Sequence, residues 1–396
     1  MKKLSTAERR ILNTIRKHGL LSRAQVAQFT ETSLTKIASI VEQLDKQDLI
    51  KQSKGASSGG RSPNLLHVRH DLCYTLGVEV GTQHVRVIVM NAGGDISGQT
   101  KQYEPLGQQR TVSLQNLREL AQQALRSANL AWDDVAGIGI GVTGFVDDRT
   151  GHCLFLPNAP DWRNLPVVEN LQAMTGIQHI FITDSARGMA ISEQRYGCCR
   201  ETSNFIVIEA GVGLGAGIVI GGEILTGSRG IVGEFGHMYI GDTREICVCG
   251  NYGCLESIAS GWAIVRRAKA AIERGVVTSM LDYVAPGQDI QIPAILQAAK
   301  EQDKLAVNLL EETANYLSLG ISMLINLLDP QAIVMTGGLV DGAGDLLMQP
   351  LISSVRAKTL PWLQQDIHIR QSQLDEYSAA RGAAILAMDR TFESLF

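Results

Sequence analysis

The stretch YTLGVEVGTQHVRVIVMNAGGDI, residues 74–96, decides the fold of most of the chain. Apolar residues alternate over 76–80, the chain bends at Gly81, a second strand follows over 85–90, and a Gly-Gly turn comes at 93–94. Hydrophobicity with a period of two, broken by glycine turns, predicts a β-hairpin. We therefore expect an α/β domain that opens with antiparallel strands.

The same pattern recurs in NFIVIEAGVGLGAGIVIGGEILTG, residues 204–227. Helical segments with apolar residues three and four apart follow each hairpin, in LQNLRELAQQALRSA and LAVNLLEETANYLSLGISMLINLL. Strands that alternate with such helices imply α/β layers, and two similar halves suggest duplication. A third glycine site, Gly337 with Gly338, lies between a predicted strand and a predicted helix.

Length and charge limit the class of protein and the kind of partner that the sequence allows. A chain of 396 residues with 45% hydrophobic residues can form about two to three domains. No apolar run reaches the roughly 20 residues that a transmembrane helix needs. The net charge of −4 hides an asymmetry, because residues 1–70 carry +8 and the remainder carries −12. A basic head on an acidic body predicts a polyanionic partner for the head alone.

Three short helices are predicted within the basic head. TAERRILNTIRKH, residues 6–18, has apolar residues on one face and ends before Gly19, which suits a helix C-terminus. Ser22 and Ser33 are suited to cap a second and a third helix. The third helix has four apolar residues that we expect to face inward: Ile37, Ile40, Val41 and Leu44.

The segment KQSKGASSGGRSPNLLHV, residues 51–68, has two strand-like edges around a Ser/Gly turn. A hairpin after three helices is typical of a winged helix-turn-helix, whose third helix enters the major groove of DNA. The alternatives are a protein-binding module with a basic face and a solvated linker. The candidate contacts to double-stranded operator DNA are Ser22, Arg23, Ser33, Thr35, Lys36, Ser39 and, at the wing tip, Arg61.

The stretch GEFGHMYIGDTREICVCGNYGCLESIAS, residues 233–260, carries one histidine and three cysteines at H-x9-C-x-C-x4-C spacing. Three thiolates and one imidazole form the tetrahedral set of a structural Zn2+ site, in which no position is open for substrate. Chance clustering is the alternative. Two carboxylates in the same segment, Glu234 and Glu256, are more than a structural zinc site requires. The predicted zinc ligands are His237, Cys247, Cys249 and Cys254.

The other four cysteines show no metal spacing, and we interpret them as reduced thiols. The N-terminal residues MKKLSTAERR run into charge rather than into the apolar segment of a secretory signal, so a disulfide framework is not expected. We expect a cytoplasmic protein.

Together these motifs resemble the ROK family of repressors, open reading frames and kinases. The family's order of motifs is found in GIGIGVTGFVDDRTG at 137–151, LPNAP at 156–160, ITDSA at 182–186, GEFGH at 233–237, CVCGNYGCLES at 247–257 and VMTGGLVDGAG at 334–344. With the winged head, the chain is similar to the transcriptional-regulator branch. The resemblance implies a two-lobed, actin-like ATPase (ribonuclease H-like) body and a homodimer or tetramer.

The resemblance also implies roles for single residues. In ROK sugar kinases an Asp removes the proton from the sugar hydroxyl, and the matching position is Asp184, here a vestigial general base. His237 would present one ring nitrogen to zinc and the other to the sugar. The residues implied to bind an effector sugar are Asn158, Asp184, Glu234, His237 and Glu256.

The departures from the family's pattern concern ATP. ROK kinases open their ATP site with D-x-G-G-T, where residues 79–82 read EVGT. The second phosphate loop, L-G-T-G-x-G-x-G in the kinases, reads AGVGLGAG at 210–217, so Val212 replaces a hydroxyl that would bind phosphate. Thr183 replaces the Asn before the catalytic Asp. Phosphoryl transfer depends on positioning and charge stabilisation, so we expect a sensor without significant kinase activity.

The resulting hypothesis is a sugar-responsive, DNA-binding regulator that represses carbohydrate uptake or catabolism genes. One alternative is an active ATP-dependent sugar kinase that also binds DNA, and another is a regulator whose effector is a partner protein. The expected domains are a winged helix-turn-helix at 1–70, a first ROK lobe at 71–185, and a second lobe at 186–396. The second lobe would carry the zinc site and a C-terminal helix that returns to the first lobe.

Overall fold

The computed structural model describes residues 4–55, 64–103, 114–157, 159–241, 245–364 and 366–395. They form two compact units, Met1–Gly188 with Ala379–Phe396, and Met189–Ser378. The division into a head and two lobes at residues 70 and 185 remains a prediction. Among the described residues, none of the helices combines the length and the apolar character that a transmembrane span needs.

The first unit begins with three helices and a three-stranded antiparallel sheet, a winged helix-turn-helix. Ser5 and Ser22 cap the first two helices, because each side chain accepts a hydrogen bond from the third residue of its helix and receives the reciprocal bond of a capping box. Ser33 precedes the third helix, but the expected side-chain cap is wrong. Lys36 holds the third helical position there and has no acceptor with which to complete the box. The elements are α1 (Thr6–His18), β1 (Leu21–Ser22), α2 (Arg23–Thr30), α3 (Leu34–Lys46), β2 (Ile50–Lys54) and β3 (Asn64–Val68).

The remainder of the first unit is built on a five-stranded sheet of order β10-β7-β4-β5-β6. The strands β4, β5 and β6 form the expected antiparallel meander, while β7 and β10 add in parallel to β4. Central strands are buried along their length, whereas the edge strand β6 alternates between exposed and half-buried residues. The elements are β4 (Tyr74–Val80), β5 (His84–Asn91), β6 (Ile96–Tyr103), α4 (Leu114–Ser127), β7 (Val135–Val142), β8 (Phe145–Asp147), β9 (His152–Phe155), α5 (Val167–Thr175) and β10 (Ile180–Asp184).

The second unit repeats this arrangement with a sheet of order β13-β12-β11-β14-β15. Its first three strands are antiparallel neighbours and its last two add in parallel to β11, which is the strand pattern of the first sheet. This repetition supports the duplication inferred from sequence. The elements are α6 (Ser185–Arg195), in which the chain passes from the first unit, β11 (Phe205–Ala210), β12 (Leu214–Ile220), β13 (Glu223–Ile224), α7 (Glu256–Ala259), α8 (Gly261–Glu273), α9 (Ile292–Lys300), α10 (Lys304–Leu328), β14 (Ala332–Thr336), α11 (Gly338–Ala343), α12 (Asp345–Lys358) and β15 (His368–Gln371). The last helix, α13 (Ser378–Leu395), returns to the first unit.

The C-terminal helix α13 belongs to the first unit from Ala379 onward and packs directly on its sheet. A Cβ atom at Gly77 would lie 2.0 Å from the carbonyl oxygen of Ala380, and one at Gly139 would lie 1.8 Å from that of Ala383. Only glycine permits such an approach of helix to strand. These strand glycines therefore set the position of α13.

The same helix completes the core of the winged head. Met388 and Phe392 of α13 are each 2% exposed and pack in one apolar cluster with residues of α1, α3 and the wing strands. Arg16 of α1 forms a salt bridge with Asp389, and its guanidinium lies 5.0 Å from the Phe392 ring centre. The winged head and α13 are thus parts of one packed unit.

Candidate functional site

The histidine and three cysteines of residues 233–260 meet at one point in the second unit. Their ligand atoms all lie within 4.8 Å of one another. The Cys249 and Cys254 sulfurs are 3.7 Å apart, and the Cys247 sulfur lies 3.5 Å from His237 Nδ1. The cluster has the residues and the geometry that could hold a metal ion.

Tight turns bring these side chains together. The Cys247 N–H donates to the Asn251 carbonyl at 2.8 Å, and the Gly250 N–H returns to the Cys247 carbonyl at 2.9 Å. Gly250, with φ of +89°, and Gly253, with φ of +77°, adopt the left-handed conformation that favours glycine. The turn therefore presents three sulfurs to one side within eight residues.

The donor set fits Zn2+. A tetrahedral ion with Zn–S bonds of about 2.3 Å requires sulfurs about 3.8 Å apart, because an edge of the tetrahedron is about 1.6 bond lengths. The 3.7 Å between Cys249 and Cys254 sulfurs agrees with that edge. Three thiolates with one imidazole are ligands that zinc prefers.

Arg266 of α8 fastens the metal-binding segment to the rest of the second unit. Its guanidinium forms a salt bridge with Glu245 at 3.0 Å and donates to the Ser257 carbonyl at 2.8 Å. It also lies 4.6 Å from the ring centre of Trp262. One arginine thus connects both ends of the cysteine turn to a helix.

The segment also positions its two carboxylates. Glu234 Oε2 lies 3.9 Å from His237 Nε2, so this imidazole turns Nδ1 towards the cysteines and Nε2 towards a carboxylate. Glu256 Oε2 accepts a hydrogen bond from the Leu214 N–H at 2.9 Å. Glu234 precedes the ligand His237 by three residues, and Glu256 follows the ligand Cys254 by two. A metal held by these ligands would therefore help to fix the positions of both acids.

Phe235 anchors the GEFGH turn on the long helix α10. A Cβ atom at Gly320 would lie 2.7 Å from the Phe235 ring and 2.8 Å from Leu255, so glycine is required where these two side chains meet the helix. Both side chains are almost fully buried. The turn that carries Glu234 and His237 rests on the core of the second unit.

Asp184 ends β10 in the first unit and is half-buried. Its Oδ1 accepts a hydrogen bond from the Arg187 N–H at 3.1 Å, so the carboxylate lies at the start of α6. Burial raises the pKa of Asp184, and the neighbouring Arg187 charge opposes that rise only in part. A carboxyl group with a raised pKa in this position is suited to accept a proton from a hydroxyl.

Glu79, at the position of the acid in the kinases' D-x-G-G-T motif, is engaged by two side chains of the protein, His84 and Arg86. Glu79 is 1% exposed, and its carboxylate lies 2.9 Å from His84 Nε2 and 3.1 Å from Arg86 Nη1. Burial raises the pKa of Glu79, but the hydrogen bond and charge of His84 together with Arg86 outweigh burial and hold the pKa below its ordinary value. The imidazole also lies against the turn, since a Cβ atom at Gly81 would be 2.5 Å from His84 Nε2.

Backbone groups of the second glycine loop, residues 210–217, also form hydrogen bonds within the protein. The Gly211 carbonyl accepts from the Gly261 N–H at 2.8 Å, and the Val212 carbonyl accepts from the Trp262 N–H at 3.2 Å. The Leu214 N–H donates to Glu256, which places a negative charge beside the loop. In the first loop the acid is thus engaged by protein side chains, and in the second loop Val212 offers no hydroxyl.

The helix α3 presents the expected polar face. Thr35, Lys36 and Ser39 are exposed, while the four inward residues predicted from sequence are buried. Arg23 is exposed at the start of α2. The Ser22 hydroxyl is used in the α2 capping box, so it also has a structural role. Arg61 and Asn158 lie outside the described residues.

Comparison with known proteins gives the family. The ROK family profile matches residues 75–390. The chain belongs to the ROK family. The resemblance inferred from the motifs is thereby confirmed, as is the fold class of a winged helix-turn-helix followed by an actin-like α/β body.

Among ROK proteins the likeness extends to regulators over the whole chain. A putative xylose repressor from Caldicellulosiruptor sp. (strain Rt8B.4) is 29% identical over 379 residues, which cover 96% of this chain and 94% of the repressor. A crystal structure of a ROK family transcriptional regulator, a homologue of the E. coli MLC protein, is 28% identical. It covers 98% of this chain and 96% of that chain with a TM-score of 0.79.

ROK kinases match only part of the chain. A glucokinase from Streptomyces coelicolor (strain A3(2)) is 32% identical over 324 residues, which cover 80% of this chain and 98% of the glucokinase. A fifth of this chain is therefore uncovered by an almost complete glucokinase, whereas the repressor match leaves only 4% uncovered.

Sequence reasoning missed two contacts that bear on function. The Arg16–Asp389 salt bridge joins residues 373 positions apart, and the Glu256–Leu214 hydrogen bond joins the metal-binding segment to the second glycine loop. Neither pair carries a local sequence signal.

Proposed function

We propose that the protein is a sugar-responsive, DNA-binding transcriptional regulator that represses carbohydrate uptake or catabolism genes. The observation that carries this proposal is the repressor likeness over 96% of the chain, which includes the basic winged head. The exposed Thr35, Lys36 and Ser39 of α3 support major-groove contact. The proposed DNA contacts also include Ser22, Arg23, Ser33 and Arg61. The protein would act in the cytoplasm as a homodimer or tetramer whose heads read two half-sites.

The proposed effector is a sugar or sugar derivative bound by Asn158, Asp184, Glu234, His237 and Glu256. Carboxylates, an amide and an imidazole satisfy the paired donors and acceptors of sugar hydroxyls. A structural Zn2+ on His237, Cys247, Cys249 and Cys254 would brace this set. The sugar would lower DNA affinity by binding more tightly to a state of the protein in which the heads bind the operator poorly. A partner protein is the alternative effector.

The first test measures release from DNA. Duplexes selected by the full-length protein from a random library serve as probes in gel-shift titrations against a panel of sugars and sugar phosphates. We expect one class of sugar to weaken binding at least about fivefold, a typical allosteric coupling. The double change Glu234→Ala with Glu256→Gln should abolish that response and leave sugar-free DNA binding intact.

The substitution of Glu256 by Gln keeps an acceptor for the Leu214 N–H, so the loop is preserved while the charge is lost. Glu223→Ala, at an exposed carboxylate of the short strand β13, is the matched control and should respond as the wild type does. A double variant with an unchanged sugar response would exclude these two acids from the effector site.

We propose in addition that sugar kinase activity is not significant. The support is the commitment of Glu79 to His84 and Arg86 and the valine at position 212. The glucokinase likeness favours the alternative of an active kinase. A coupled ADP-release assay with the sugar panel should give no sugar-dependent rate above background. Turnover that disappears in Asp184→Ala would establish the kinase alternative.

A further inference from the structure

The recognition helix α3 exposes an apolar side chain that the core does not use. Leu34, its first residue, is 58% exposed, and it is not part of the apolar cluster of the head. Ala38 lies one turn further along and is half-buried. Residues four apart lie on the same side of a helix, about 6 Å from each other, so Leu34 and Ala38 form one apolar strip.

The exposed residues over the first two turns of α3 limit which DNA bases this helix can recognise. These are Leu34, Thr35, Lys36 and Ser39, with Ala38 half-buried among them. Lys36 is the one residue among them suited to pair with guanine, and the asparagine or glutamine that would pair with adenine is absent from these positions. The one base edge in the major groove that presents an apolar group is thymine, through its C5-methyl.

Resting on the proposed DNA-binding function, we propose that Leu34 is a specificity-determining residue that contacts the C5-methyl group of a thymine in each operator half-site. The +8 charge of residues 1–70 supplies attraction for the phosphates, so the occupant of the apolar strip is a DNA base rather than another apolar protein. Recognition helices contact base edges through their N-terminal residues, which is where Leu34 lies. We therefore expect each operator half-site to contain a thymine that faces the N-terminal end of α3.

Replacing thymine by deoxyuridine removes this methyl group and nothing else. In duplexes selected by the full-length wild type, each thymine is exchanged in turn for deoxyuridine, and affinity is measured by fluorescence anisotropy at fixed salt. At one position per half-site we expect a loss of about fourfold, the value of burying one methyl-sized group. In Leu34→Ala the thymine-to-deoxyuridine ratio at that position should fall to about one, while the other positions keep their ratios.

Leu20→Ala removes another exposed leucine of the head, 56% exposed but outside α3, and should keep the wild-type ratios. Leu34→Met, which retains apolar reach, should restore most of the discrimination. A Leu34→Ala protein that is folded by circular dichroism and still loses fourfold at the same position would overturn the proposal. A library from which no sequence is enriched would contradict DNA recognition itself, and the role of Leu34 with it.

Discussion

Replacing Cys247 by serine is expected to abolish zinc binding and to lower the free energy of unfolding of the second unit by on the order of 5 kcal/mol. The Cys247 sulfur lies 3.5 Å from His237 Nδ1 and is nearly inaccessible to solvent, so a weakly binding hydroxyl there leaves three ligands around an open position. The described part of the segment around the cluster is paired by isolated bridges, Tyr239 with Cys254 and Ile246 with Tyr252, rather than by a continuous strand.

The measurement is the zinc content of purified protein by mass spectrometry of metals, combined with thermal denaturation. Cys198→Ser is the matched control, because Cys198 is a half-buried cysteine of the same unit outside the metal cluster. We expect one zinc per chain in the wild type and in the control, and none in Cys247→Ser. Full stability of a zinc-free Cys247→Ser protein would show that the four residues are clustered without a structural metal.

Zinc loss should also remove the response to sugar, for a geometric reason. His237 belongs to the metal cluster through Nδ1 and lies 3.9 Å from Glu234 through Nε2, while Glu256 follows the ligand Cys254 by two residues. Metal removal therefore frees the residues proposed to contact the sugar. DNA binding without sugar should remain, because the winged head belongs to the other unit.

Patterns of short range predicted the fold and the metal cluster. The hairpins at residues 74–96 and 204–227 were recognisable because glycine turns interrupt strands of period two, and the H-x9-C-x-C-x4-C spacing is compact enough to close on one ion. The family resemblance then ordered these segments into two lobes. Each of these predictions depended on residues close together in sequence.

Contacts between distant residues could not be predicted in the same way. Even at short range, residue type was not decisive: Ser33 makes no capping hydrogen bond, and Lys36 cannot supply the reciprocal bond that Glu8 and Gln25 give to Ser5 and Ser22. The commitment of Glu79 to His84 and Arg86 depends on side chains that face each other across paired strands. The joining of α1 to α13 depends on tertiary packing, for which the sequence of either helix has no separate signal.

The second large effect is expected at that junction: Asp389→Ala should destabilise the first unit by about 3 kcal/mol. The Arg16 side chain is 4% exposed, and its charge is balanced by Asp389, while Asn13 Oδ1 accepts a hydrogen bond from its Nη2 at 2.8 Å. Removal of the carboxylate leaves a buried cation with one neutral acceptor. The Asp389 side chain is 25% exposed, so water can solvate part of the Arg16 charge once the carboxylate is removed. The expected loss of stability is therefore at the lower end of the range for broken buried ion pairs.

Thermal and urea denaturation of full-length protein would measure the loss, with Glu42→Gln as the control. The Lys46–Glu42 pair lies on the same head with side chains 72% and 66% exposed, so its removal should leave stability unchanged within error. Asp389→Asn, which keeps an acceptor but not the charge, should fall between the wild type and Asp389→Ala. Equal stability of all four proteins would show that apolar packing alone holds the head.

The Arg16–Asp389 junction is expected to affect the response to sugar as well as stability. The helix α13 begins where the chain returns from the second unit, at Ser378, and ends among the core residues of the winged head. If the proposed sugar response is transmitted along the chain, α13 is a route to the head, because Met388, Asp389 and Phe392 fasten this helix to it. At a temperature where Asp389→Ala remains folded, we therefore expect it to bind operator DNA but to lose most of the sugar-induced release. An unchanged sugar response in that variant would mean that the signal reaches the head by another route.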